Sequence, residues 1–472
     1  MSDHVATAAT LPIDDPRLRA VLDSDDRLRP DFVAKVLDAV EAGDNDTARA
    51  LVEPLHPADI ADLIELAAGD EREGLVAALA GIVDADVYAE LNEHVRETLI
   101  DEMDASQVAD LAGQLDTDDA VAIIEDMDRA EQQAVLSAMD PDDRAAVEEA
   151  LTYAEETAGR LMQRDLIAVP EHWTVGKVID YLRSSDELAD DFWEVFVVSP
   201  DHHPVGTCKL STILRSSRAI RVDSIMLREQ TLIPVDLDQE EVALRFQKYA
   251  LISAAVVDPS GRLVGMITVD DIVHIIQEEA GEDALLLSGA GDGDINEPVV
   301  ETYKSRVRWL AANLMTALVA SGIIRIFEHS IERLAVLAVL MPIVAGVGGN
   351  AGTQTLAVTV RAIATNQLTG SNRWRAVRRE LRVALMNGLT IALLIGIAVT
   401  LVLGSAQLGA VIAAAMLTNI VIAGFAGVMV PLTLERAGAD PAVASSVFVT
   451  MITDSMGFLA FLGLATWVGL VH

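Results

Sequence analysis

Pro342-Ile343-Val344-Ala345-Gly346-Val347-Gly348-Gly349-Asn350-Ala351-Gly352-Thr353-Gln354 decides how this chain folds. The run lies inside an apolar stretch, Leu334–Ile363, long enough to cross a bilayer core of about 20 helical residues. A proline followed by four glycines is expected to loosen the helical hydrogen-bond ladder. Irregular backbone at membrane depth is tolerated only where it is buried or lines a water-filled cavity. Asn350, Thr353 and Gln354 add neutral oxygens, so the stretch reads as the wall of a pore or binding site: Gly348, Gly349, Asn350, Gly352, Thr353 and Gln354. The plainer reading is a small-residue packing face, with Gly348 and Gly352 in a GxxxG pair. A G-x-G-x-x-A dinucleotide fingerprint also matches here, but no strand precedes it and the setting is apolar, so it is set aside.

Outward from this run, four further apolar stretches follow Glu301: about Trp309–Phe327, Val383–Leu403, Leu408–Leu432 and Ala442–Val471. Lys304, Arg306 and Arg308 precede the first span, and Arg373, Arg375, Arg378, Arg379 and Arg382 crowd the connection between the second and third. By the positive-inside rule both clusters are cytoplasmic, which places the C-terminus outside after five spans. The fifth span carries Asp454 one turn after Thr450, which is expected to line the same pore. A carboxylate there is costly and marks an ion pathway, unless an arginine such as Arg325, Arg333 or Arg361 neutralises it. Asp440, before Pro441, lies 14 residues earlier, about 21 Å along a helix. It reads both as a helix cap and as an acid at the cytoplasmic mouth. Hard oxygen donors without His or Cys favour Mg2+ or Ca2+ over Zn2+ or Cu2+.

Residues before Glu301 have the opposite character. The 472-residue chain carries a formal charge of −39. From Glu301 onward, 12 Lys plus Arg stand against 7 Asp plus Glu, leaving 22 against 66 before it, or −44. An acidic disordered protein is excluded by the apolar last third, and a DNA reader by the missing basic face. The single cysteine, Cys208, excludes a disulfide framework and reads as a buried apolar residue. Met1 to Asp15 shows no basic stretch followed by an apolar run, so no secretory signal is expected.

About Asp31 to Glu156 reads as short amphipathic helices in a superhelical stack, with Asp140-Pro141-Asp142-Asp143 as one helix start and Ala58–Leu63 echoed by Ser106–Leu111. Residues 160–280 repeat at about sixty. Met162-Gln163-Arg164 is echoed by Met226-Leu227-Arg228, and the strand pair around Val197, Val198, Val205 and Gly206 by that around Val256, Val257, Val264 and Gly265. This pattern resembles a tandem pair of CBS sensory domains. Gly265, Thr268 and Asp270 resemble the residues by which many CBS domains hold an adenosine ribose, which implies ATP or another adenine nucleotide as a ligand. Gly206–Ser211 of the first copy lacks that acid. Asp271, Glu278, Glu279 and Glu282 then fall near one helical side, as a solvated face or as a cation-operated lever. Asp292–Asn296 opens like an EF-hand loop but lacks Gly at position six (Glu297) and Glu at position twelve (Tyr303). Gly289, Gly291 and Gly293 read as a hinge.

The whole assembly resembles the MgtE magnesium channels and transporters. The residues that carry the likeness are Leu55–Leu63, Ala158-Gly159-Arg160-Leu161-Met162, the run from Pro342 to Gln354, Asp440-Pro441-Ala442 and Asp454–Phe458. The resemblance implies a homodimer with its pore on the two-fold axis, hydrated Mg2+ held by Asp454 of both chains, and Asp440 near the inner entrance. It implies a plug helix from about Asp270, on which Asp271, Glu279, Glu282 and Asp283 bind Mg2+ and close the pore when cytosolic Mg2+ is high. His274 departs from the acid found in a relative.

The fold class expected is therefore multi-domain: an all-α superhelical N-terminal domain, an α/β tandem CBS pair and an α-helical transmembrane domain of five spans. The expected boundaries are an acidic N-terminus at 1–30, helical domain 31–158, CBS domains 159–224 and 225–280, plug and hinge 270–297, and pore domain 302–472. The function expected is passive, Mg2+-gated Mg2+ uptake across the cell membrane, not catalysis, with no nucleic-acid partner. The rival readings are a gradient-coupled divalent cation exchanger and a non-conducting, nucleotide-sensing receptor. Most of the acid excess, with 5 lysines beside 29 arginines, reads as adaptation to a salt-rich cytoplasm.

Overall fold

The computed structural model describes residues 21–470, except 26, 126, 185–187, 189–191, 289–295 and 369. The N-terminus before residue 21, the glycine hinge at 289–293 and the EF-hand-like opening at 292–295 lie outside the described residues. The chain divides into two compact units, Met1–Ile275 and Ile276–His472.

Among the described residues the first unit begins with ten short helices: α1 Pro30–Glu41, α2 Asn45–Val52, α3 Pro57–Leu66, α4 Gly69–Ala78, α5 Ala85–Glu90, α6 Glu93–Ile100, α7 Ala105–Ala112, α8 Thr117–Ile124, α9 Arg129–Ala138 and α10 Pro141–Ala150. Their starts are written in the sequence. Asp104 and Asp128 form capping boxes with Gln107 and Glu131, satisfying backbone donors that a helix start leaves free. Pro30, Pro57 and Pro141 occupy first-turn positions, where the missing N–H costs nothing. One apolar stripe per helix (Ile60, Leu63 and Ile64 on α3, for example) joins a continuous core.

Two three-stranded sheets follow, β1 (Ala168–Pro170), β2 (Glu194–Val198), β3 (Pro204–Lys209), and β4 (Leu232–Pro234), β5 (Ser253–Val257), β6 (Leu263–Thr268). In each, the first strand pairs parallel to the second and the second antiparallel to the third. The registers match, Val197 facing Gly206 and Val256 facing Gly265, with the same irregularity after each. Helices α11 (Val175–Ser184) and α13 (Gln239–Tyr249) precede the strand pairs, with the short α12 (Leu210–Arg215) after β3. The repeat thus has a structural counterpart, and it is interlocked. Met162 belongs to the core of the second copy and Met226 to that of the first. Gly265 and Gly206 make room for them: a Cβ on Gly265 would lie 2.7 Å from Met162 Sδ, and one on Gly206 2.7 Å from the Leu227 carbonyl oxygen. Cys208 is buried in the first copy, and burial pushes its thiol up to about 11.

Helix α14 (Val269–Ser288) crosses the division between the units. The second unit continues with α15 (Val299–Ile326), the short α16 (Glu328–Arg333), α17 (Val336–Ala364), α18 (Arg373–Leu403), α19 (Ala406–Arg436) and α20 (Ala442–Trp467). Five of these are long and apolar enough to span a membrane. α19 is the hub, lying against α17, α18 and α20. The expected loosening of the second span does not occur: α17 is helical throughout, with Pro342 inside it. The reason lies in the neighbours. Pro342 falls early in the helix, and Gly348 and Gly352 are buried as close-packing positions rather than as breaks.

Candidate functional site

Asp454 is half-buried on α20, one turn after Thr450, so helical spacing puts both on one side. No charged neighbour acts on its carboxylate among the described residues, so Arg325, Arg333 and Arg361 do not neutralise it. An uncompensated carboxylate at this depth attracts a cation.

α17 presents two faces. Gly348 and Gly352 are buried, while Gly346, Asn350 and Thr353 are exposed at four- and three-residue spacing, with Gly349 half-buried among them. A Cβ on Gly352 would stand 2.6 Å from Val449 Cγ1 and 3.4 Å from Thr453 Cγ2 on α20. The next residues along, Thr353 and Asp454, therefore stand at about the same level of the bundle. Gln354 lines a cavity of about 240 Å3 with Thr355, Arg379, Glu380 and Asn387, between α17 and α18. The glycine run thus serves two ends, packing at Gly348 and Gly352 and a small polar face at Gly349, Asn350 and Thr353.

Asn419, which the sequence reading passed over, locks this arrangement. It is fully buried on α19, and its Nδ2 donates to the Val344 carbonyl at 3.0 Å. Gly348 and Gly457 accommodate it: a Cβ would fall 2.0 Å from Nδ2 at the first and 2.6 Å at the second. The signal was present as a lone amide in an apolar span, a residue type that commonly bonds across helices.

At the other end of α20, Asp440 Oδ1 accepts from the Ala442 N–H at 2.7 Å, as a cap does. Asp283, near the end of α14, lies close to it. Burial, and then the charge of Asp440, hold the Asp283 carboxyl above its ordinary value. Beside them Leu286 and Leu287 pack on a cluster made by Leu356, Val360, Ala442 and Val449. The structure thus brings Asp283 and Asp440 together; Glu279 is half-buried and Glu282 exposed on the same helix.

In the first unit a second acid cluster appears where α8 meets the start of α14. Asp271 Oδ2 accepts from Thr268 Oγ1 at 2.7 Å and from Gln163 Nε2 at 3.2 Å. Burial foremost pushes its carboxyl up to about 6, despite these donors. Asp119 is likewise pushed up to about 6, by burial and then by Asp116, with Arg96 and His274 opposing. Asp118 is held well above the ordinary range by burial and then by the charge of Asp271, and its Oδ1 is enclosed without a donor among the described residues. Asp116 is raised by burial and then by Asp165 and Asp270. None of Asp116, Asp118 and Asp119 was singled out from the sequence, because acids opening a helix are ordinary dipole partners. Among the described residues, no three His, Cys, Asp or Glu side chains form a ready-made metal cage. The clusters are carboxylates held near one another, and hard, hydrated cations suit them.

The nucleotide residues fare differently. Thr268 is occupied by Asp271, the acid three residues on, while Asp270 is exposed and Gly265 lies under Met162.

Comparison with known proteins matches three segments of the chain. Residues 341–464 match the MgtE divalent cation transporter family, 55–156 the MgtE intracellular N domain and 222–278 the CBS domain. The chain is 31% identical to the magnesium transporter MgtE of Enterococcus faecalis, over 66% of this chain and 69% of that one. It is 32% identical to the protein of the same name from Thermus thermophilus, over 66% and 69%. Among solved structures, the cytosolic domain of the Mg2+ channel MgtE in complex with ATP aligns with 52% of this chain and 99% of its own, at 28% identity and a TM-score of 0.48. The chain belongs to the MgtE family of divalent cation transporters, with an MgtE N-terminal domain, a CBS pair and a multi-pass membrane domain.

Proposed function

We propose that this protein is a Mg2+ channel closed by the ion it conducts. The observation that carries the conduction half is Asp454, a half-buried carboxylate in a membrane helix with no charged neighbour among the described residues. Mg2+ keeps its water shell, so a carboxylate beside small and neutral groups (Thr450 on α20; Gly349, Asn350 and Thr353 on α17) suits a hydrated ion. The chain works as a homodimer in which both copies of Asp454 face one path. The first unit and the basic helix ends face the cytoplasm, and the C-terminus lies outside.

The gating half rests on the two acid clusters. At low Mg2+ the carboxylates of Asp118, Asp119 and Asp271 repel one another, and so do those of Asp283 and Asp440. Mg2+ bound between them removes the repulsion and holds α14 in its closed position. Adenine nucleotide binding at the CBS pair belongs to the same reading, with exposed Asp270 as its acid.

The test is Mg2+ flux into vesicles of reconstituted protein. Asp454→Asn removes the charge and keeps the shape, and flux is expected to fall by at least about tenfold, one charge interaction in the membrane being worth a few kcal/mol. Unchanged flux in a folded variant contradicts the assignment.

A further inference from the structure

We propose that the basic end of α18 is a binding site for the headgroup of an anionic phospholipid. Arg375, Arg378, Arg379 and Arg382 line one cavity of about 300 Å3 with Val383 and Met386. These positions recur every three or four residues, so they form one helical stripe, and all six are exposed. The four guanidinium groups fall within about 10 Å of helix length.

Their pairing separates this cluster from ordinary basic flanking residues. Arg373 is neutralised by Glu435 at 2.8 Å, and Arg379 by Glu380 beside it. Arg375, Arg378 and Arg382 make no ion pair among the described residues. The other basic cluster, Lys304, Arg306 and Arg308, has alternate spacing, which turns Arg306 about 160° away from the other two. Only the cluster on α18 makes a cradle. Guanidinium forks match phosphate oxygens in a bidentate manner, and three unpaired ones around one cavity call for an anion.

The occupant is a lipid because of what lies beyond the arginines. The same stripe continues as Met386, Leu389, Leu393, Ile397 and Leu401, exposed by 69, 54, 64, 50 and 78%. An acyl chain covers such a strip when its phosphate sits on the arginines. Trp374, 67% exposed beside them, is an interfacial side chain of the kind that sits at headgroup depth. Basic pockets at a membrane surface draw anionic headgroups by a substantial factor per arginine.

The test is native mass spectrometry of the full chain, released from detergent with phosphatidylglycerol, cardiolipin or phosphatidylcholine. The wild type is expected to retain the two anionic lipids over phosphatidylcholine by about tenfold or more. Arg375→Gln/Arg378→Gln/Arg382→Gln is expected to lose that preference, and the milder Arg378→Gln to weaken it. Lys304→Gln/Arg306→Gln/Arg308→Gln, which removes the same charge elsewhere, is expected to keep it. Equal losses in the two triple variants would overturn the proposal, as would displacement of the lipid by millimolar inorganic phosphate. Should the first triple variant not fold, the single variant carries the test. Met386→Cys probes whether a second copy covers the strip: a disulfide between copies at that position would also overturn the lipid assignment.

Discussion

At the scale of single residues, Asn419 and Gly348 act as one unit. The amide fills the space that any side chain at position 348 would need, and it bonds to the Val344 carbonyl. Gly348→Ala should therefore cost several kcal/mol through overpacking, and Asn419→Ala about 1–2 kcal/mol through the lost bond. The double variant should cost clearly less than the sum, because removing the amide makes room for the new methyl. Thermal unfolding of the four proteins in detergent measures this coupling; strictly additive losses would show that the two residues do not share one space. Asp454 is the counter-example at this scale: no charged neighbour among the described residues acts on it, and its proposed role rests on that. Its position was legible in the sequence, since an acid in an apolar span needs a reason. Asn419 was less legible because its role depends on which glycines on other helices face it.

At the scale of elements, the acids of α8 and of the start of α14 make the packing of the first unit depend on pH and, in the proposed mechanism, on Mg2+ as well. Asp119 and Asp271 titrate near 6, and Asp118 well above its ordinary value. A carboxyl raised on folding favours the packed state when protonated. That contribution is complete below about pH 4 and is lost as pH rises through 6. Limited proteolysis of the full chain without divalent ions should show α8 and α14 protected at pH 5 and cleaved faster at pH 7.5. Millimolar Mg2+ should restore protection at pH 7.5. Asp118→Asn should weaken both dependences, the remaining pH response coming from Asp119 and Asp271; a variant as sensitive as wild type would remove Asp118 from the sensor. The acids of α14 were legible because they follow one another on one helix. Their partners on α8 were not, since Asp116, Asp118 and Asp119 look like any acidic helix start until the fold brings a second chain segment against them. The proline and glycines of α17 misled for a related reason. Backbone propensity argues for loosening, but packing against α19 and α20 gives those glycines a use that keeps the helix intact.

At the scale of the whole molecule, the charge of −39 is a difference between −44 before Glu301 and +5 after it. The acid clusters around Asp118, Asp271 and Asp283 use only a small part of the excess. The remainder should make the first unit depend on ionic strength, because self-repulsion is screened over about 10 Å at 0.1 M salt and about 3 Å at 1 M. Its protease resistance at fixed Mg2+ should rise between these two salt concentrations; resistance that ignores salt would remove the salt-adaptation reading. Charge and hydropathy divide the sequence at Glu301, whereas the compact units divide between Ile275 and Ile276, inside α14. The interlocking of the CBS copies, with Met162 and Met226 exchanged between cores, was not legible in the sequence, because the repeats look alike and only the tertiary fold decides which copy each methionine joins.

In the proposed mechanism one ion both permeates and closes this protein. Single-channel recording of the reconstituted full chain, with Mg2+ titrated on the side of the first unit, tests it most directly. Currents are expected to reverse at the Mg2+ equilibrium potential without any sodium or proton gradient, and the open probability to fall as Mg2+ on that side rises to millimolar levels. Transport that requires a counter-ion gradient, or an open probability indifferent to Mg2+, would contradict that mechanism.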